Sequence, residues 1–111
     1  YLYTHVVGTS GGNTNDMQEA IAMMNAGKLN PSALVTHIGG LNAVIDTTLN
    51  LPKIPGGKKL IYTHIDLPLT AIDDFAALGE TDLRFKTLAE LVEQNDGLWN
   101  AAAEKYLLEN F

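Results

Sequence analysis

Cysteine is missing from all 111 residues, which excludes disulfides and thiolate metal sites. A reducing compartment such as the cytoplasm is compatible with that. Long apolar runs are missing too. No stretch approaches the ~18 residues a membrane span needs, and no signal-peptide pattern is present. Basic residues are scarce, with 7 Lys and Arg against 13 Asp and Glu and a formal net charge of −6. Neutralising a phosphate backbone requires a basic surface, so neither nucleic acid nor a membrane is expected as a partner. A hydrophobic content of 46% argues for a folded chain rather than a disordered one, and the length suits one small domain with its own core.

What is present is organised around Tyr3–Lys28. Tyr3, Thr4, Val6 and Val7 are of types that fit a pleated, half-buried strand. Gly8, Gly11 and Gly12 follow as a turn. Thr14 stands at an N-cap position, and Asp16 lies where a helix dipole favours an anion. Met17, Ala20, Ile21 and Met24 recur at helical spacing as a stripe expected to face a core. Gly27 ends the helix, with Lys28 and Pro31 beyond. The loop G-T-S-G-G-N matches neither the dinucleotide nor the P-loop fingerprint. An ordinary strand-to-helix turn is the simpler reading, because a helix N-terminus holds an anion only where a site is built around it.

Further along, Leu34–Ile38 reads as a short strand. A helix of about three turns carries Leu41, Val44, Ile45 and Thr48 and stops before Pro52. Residues 52–57 read as a loop and Lys58–Ile65 as a strand. Residues 1–65 therefore read β-α-β-α-β. From Asp66 the chain turns helical and acidic. Residues 1–65 carry four basic and three acidic groups, a net +1, whereas residues 66–111 carry three basic and ten acidic groups, a net −7. Thr70 and Asp73 resemble a capping box before a short helix over Ala71–Leu78. Thr81 is expected to cap a helix burying Phe85, Leu88, Leu91 and Val92. Asn100 is expected to cap a last helix burying Ala103, Tyr106 and Leu107, with Trp99 packed nearby. These short amphipathic segments need a surface to pack on. The fold class is α/β with an all-helical tail.

Few residues carry chemistry. Tyr3-Thr-His5, Val35-Thr-His37 and Tyr62-Thr-His64 repeat a pattern on expected strands. Three imidazoles on one face could bind zinc, but tolerated polar-face residues explain the repeat more simply. Ser10 lacks a nucleophile-elbow context. Asp73 and Asp74, being neighbours on a helix, point about 100° apart and form no catalytic pair.

The ordered set VVGTSGG, helix, AGKLNPSALVTHIGGL, helix, PGGKKLIY resembles the C-terminal third of the zinc-dependent medium-chain alcohol dehydrogenases over residues 3–65. The acidic tail from DLPLTAIDDF to LLENF resembles the extension of that family's sugar-phosphate branch, typified by L-sorbose 1-phosphate reductase. The resemblance implies three segments. Residues 1–28 would end a nucleotide-binding domain, 29–65 would return to a catalytic domain, and 66–111 would form an acidic C-terminal extension. It also implies a parent oxidoreductase that uses NAD or NADP and zinc on a sugar-phosphate ketone or alcohol. In this chain Thr9 and Ser10 match family positions beside the nicotinamide, and Lys58 matches a basic residue that can reach the cofactor pyrophosphate. No catalytic and no metal-ligating residue of the family maps onto these 111 residues. The chain starts without Met in strand-like sequence, so it reads as a fragment, inactive alone and without a bound cofactor. Its partners are then the remainder of the parent chain and further copies of itself, since a severed sheet exposes an edge. The alternative is a self-sufficient small α/β binding or assembly module, with the tail as docking surface.

Overall fold

A computed structural model describes residues 3–111. The chain divides into two compact units, Tyr1–Asn30 and Pro31–Phe111.

In the first unit, residues 4–13 are irregular and α1 spans Thr14–Asn25. The strand expected at Tyr3–Val7 does not form; Val6 and Val7 are 94% and 85% exposed. A strand requires a neighbour for its backbone groups, and residues 4–13 pair with none. The helix starts one residue earlier than expected, at Thr14 itself. Asn13, not Thr14, is the N-cap. Its Oδ1 accepts from the Asn15 and Asp16 amides at 2.8 and 3.1 Å, and Asp16 Oδ2 accepts from the Asn13 amide at 2.7 Å. This reciprocal capping box satisfies three otherwise orphan donors. Gly27 closes the helix at φ +69°, as expected. The stripe of Met17, Ile21 and Met24 faces no core: α1 buries no residue, and Met17 is 63% exposed.

In the second unit, β1 (Val35–Gly40), a 3-10 turn at Leu41–Ala43, α2 (Val44–Asn50) and β2 (Lys58–Tyr62) form a strand–helix–strand crossover. β1 and β2 pair in parallel, with His37 opposite Lys59 and Ile38 opposite Leu60. A two-residue strand, β3 (Thr70–Ala71), pairs antiparallel on the other side of β1, with Ile38 opposite Thr70. The sheet order is β2-β1-β3. The strand expected at Lys58–Ile65 ends at Tyr62, and the chain then turns back. The Gly40 and Leu41 amides donate to the carbonyls of Leu67 and Ile65, at 2.8 and 3.1 Å. Asn42 Oδ1 also accepts from the Leu67 amide at 2.9 Å. Only glycine fits at position 40, because a Cβ there would lie 2.3 Å from the Ile65 carbonyl oxygen.

The tail is mostly helical, as expected, and β3 is its one departure. Thr70 joins that strand instead of capping; its hydroxyl donates to the Pro68 carbonyl at 2.8 Å. α3 (Phe75–Leu78) follows. α4 (Leu83–Glu93) is capped by Asp82 rather than Thr81. α5 (Ala101–Asn110) is capped by Asn100. The core of this unit combines Ile38 of β1 with Ile65, Leu67, Phe75, Leu88, Trp99 and Leu107. The tail therefore supplies most of a core that it shares with the sheet. Phe75 sits at its centre, 5.8 Å from Phe85 and 6.3 Å from Trp99 between ring centroids. No helix among the described residues is long and apolar enough to cross a membrane.

Candidate functional site

The residues matched to the family's cofactor contacts lie in different units. Thr9 and Ser10 are exposed in the irregular stretch before α1, and Lys58 is the exposed first residue of β2. Of the three histidines, His5 is in the irregular stretch, His37 is on β1 and His64 is in the turn after β2. Among the described residues, no group of three or more His, Cys, Asp or Glu side chains is placed to hold a metal. The donors here therefore do not fit a zinc site.

A cleft of the second unit lies between α2 and β2 and has a volume of about 530 Å³. Thr47 and Leu51 line one side, and Gly56, Lys58 and Ile61 line the other. Thr47 is only 8% exposed, and its hydroxyl has no hydrogen-bond partner among the described residues. A buried hydroxyl left unpaired costs about 1–3 kcal/mol. The cleft thus has an unpaired hydroxyl buried in its wall and a cation at its lip.

The floor of that lip is an unexpected arrangement. Lys59 Nζ lies within hydrogen-bond reach of four successive backbone carbonyls, among which its three protons are shared: Gly57 at 2.8 Å, Pro55 at 3.0 Å, Gly56 at 3.3 Å and Ile54 at 3.4 Å. The loop can turn its carbonyls inward because Gly56 takes φ +88°, a conformation open to glycine and strained for other residues. The sequence holds a partial signal for this in P-G-G-K-K, a turn followed at once by two cations, but only the fold shows which lysine turns inward.

His37 sits half-buried beside Lys59. Burial first, and the neighbouring ammonium second, hold its imidazole below the ordinary histidine range, while Asp73 and Asp74 oppose the shift. Its Nδ1 lies 2.9 Å from Thr36 Oγ1. Tyr62, at the end of β2, links the sheet to the tail. Its hydroxyl donates to Glu104 and accepts from Trp99 Nε1. Burial, reinforced by the Glu104 carboxylate, pushes the phenol well above its usual range and keeps it protonated. Sequence reading missed this group, since its members are 37 and 42 residues from Tyr62.

No protein-family model matches the chain, and no solved structure does. Curated relatives do. The chain is 65% identical over 111 residues to an uncharacterized protein, YggP, of Escherichia coli. It is 56% identical over 109 residues to mannitol-1-phosphate 5-dehydrogenase of Aliivibrio fischeri. It is 48% identical over 108 residues to L-sorbose 1-phosphate reductase of Klebsiella pneumoniae. The chain matches a segment of longer proteins. Its alignments take in 97–100% of its own residues but only 24–26% of these relatives. That is consistent with a C-terminal segment of a dehydrogenase of this kind, as the residues themselves suggest.

Proposed function

We propose that these residues form the C-terminal segment of an oxidoreductase that interconverts the ketone and alcohol forms of a sugar phosphate, with NAD or NADP as hydride carrier and zinc as the polarising metal. The observation that carries this reading is similarity along essentially the whole chain to a quarter of two proteins named as sugar-phosphate dehydrogenase and reductase. Hydride transfer needs a cofactor held against a polarised carbonyl. Among the described residues no group of three or more His, Cys, Asp or Glu is placed to hold a metal, so the zinc would be held by parts of the parent outside them. Within this chain Thr9 and Ser10 would border the nicotinamide, and Lys58 would meet the cofactor's phosphates, where a cation is favourable. The 111 residues alone would be inactive.

The parent would work in the cytoplasm, as cysteine-free composition allows, and as an oligomer. The exposed stripe of α1 and the open edge of β2 in its sheet support burial against further chain or a second copy.

The test is to determine the intact mass of the native gene product and to assay it, beside the isolated 111 residues, for reduction of ketose phosphates with NADH and NADPH. The expected result is a product about four times as long, active with one cofactor, and an inactive isolated segment. A native product of only this length would overturn the reading and favour a non-catalytic α/β module. So would a longer product with no such activity.

A further inference from the structure

The loop at residues 54–57 has the chemistry of a cation site. Four carbonyl oxygens from consecutive residues converge on one point, at 2.8–3.4 Å from the Lys59 nitrogen. An ammonium carries three donors and no acceptor, so four oxygens around it exceed its hydrogen-bonding capacity and act together as a ring of dipoles. Rings of backbone carbonyls replace the hydration shell of potassium in the same manner. No carboxylate takes part, and Lys59 forms none of the chain's ion pairs among the described residues. The charge is held by the backbone alone.

The loop could not keep this form without a cation. Four carbonyls pointing at one another repel, and turning them inward forfeits water contacts that an irregular loop would otherwise keep. Gly56 is fitted to the arrangement twice: it takes φ +88°, and a Cβ would lie 2.7 Å from Thr36 Oγ1. The same loop supplies Ile54, Gly56 and Gly57 to the wall of the α2–β2 cleft, so whatever occupies the cradle sets the shape of that wall.

We infer that residues 54–57 form a binding site for a monovalent cation of the potassium or ammonium class, and that Lys59 is its built-in occupant. Lys59→Met removes the ammonium and leaves the sequence of the four carbonyl-bearing residues unchanged. A free potassium or ammonium ion then takes the place of Nζ. Arginine does not, because a planar guanidinium cannot place its charge at a single point among four oxygens. This inference stands whether or not Lys58 meets a cofactor.

The experiment is backbone amide hydrogen exchange on the 111-residue chain carrying Lys59→Met, in chloride salts of equal ionic strength. In tetramethylammonium chloride the amides of Ile54, which donates to the Leu51 carbonyl at 3.2 Å, and of Lys58, in the β1–β2 ladder, exchange about tenfold faster than in wild type, as expected for local opening. In ~200 mM potassium or ammonium chloride they return to near the wild-type rate, and Lys59→Arg stays fast in every salt. Equal exchange in potassium and tetramethylammonium would overturn the inference, as would unchanged protection in the variant. Where Lys59→Met does not fold, the wild-type chain decides. Nitrogen-detected NMR of its lysine ammonium groups should show slowed proton exchange at Lys59 relative to Lys58, and equal rates would count as refutation.

Discussion

Tyr62 and Glu104 stand 42 residues apart in sequence and 2.5 Å apart in space, the phenol donating to the carboxylate. Trp99 Nε1 donates to the same phenol oxygen at 2.9 Å. Tyr62→Phe keeps the ring and removes both bonds, leaving the indole N–H and the carboxylate without this partner. The expected loss is about 1–3 kcal/mol of unfolding free energy by urea titration. Tyr62→Phe combined with Glu104→Ala should cost less than the sum of the two single changes, because they share one network. Strict additivity would show that the three groups do not act together.

Leu88 is fully buried, and Leu83, five residues away on the same helix, is 75% exposed. Leu88→Ala removes packing on all sides and is expected to cost about 2–5 kcal/mol. Leu83→Ala should fall within ~0.5 kcal/mol of the parent. Thermal unfolding of both variants checks this; similar losses would place the tail's core elsewhere.

Gly40→Ala brings a methyl group within 2.3 Å of one backbone atom and 2.5 Å of another, Ile65 O and Leu67 N. Backbone cannot give way as a flexible side chain can. The expected loss reaches or passes the upper end of the ~1–3 kcal/mol typical of overpacking. Loss of amide protection at Gly40 and Leu41 should accompany it, since their bonds to Leu67 and Ile65 run through the same contact.

His37 gives the fold a defined pH response. Its folded-state affinity for a proton is lower than that of an ordinary histidine, whose pKa is 6.5. Near and just below that value the unfolded chain binds more protons than the folded one, so stability rises with pH there. The contribution is intact above 6.5, shrinks as pH falls through it, and levels off below the folded-state pKa. Unfolding measured from pH 7.5 to about 5 should show wild type losing stability faster than His37→Gln, an outcome that equal slopes would exclude.

Periodicity made much of the second unit legible. Phe85, Leu88 and Val92 were readable as one face because helical spacing alone aligns them, and they are buried. Val35-Thr-His-Ile carries strand-forming residues and did form β1. Both displaced helix caps moved by one residue, to Asn13 and Asp82, because each site offers two adjacent side chains able to accept an amide bond. The missing first strand shows the limit of local reading: Val6 and Val7 have the right side chains, but pairing depends on what lies alongside. The site residues were the least legible. Lys58 and Lys59 look alike in sequence, and only the fold of Pro55-Gly56-Gly57 turns one of them into the centre of a carbonyl ring.

The shared core also imposes an order in time. Ile38 leaves the ribosome well ahead of Leu107, which lies about 70 residues later and belongs to the same core. At ~5–20 residues per second, β1 waits on the order of 4–14 s with its apolar side chain uncovered. Throughout that interval the nascent strand is open to chaperones and to neighbouring chains, and it becomes safe only when the acidic helices have been made.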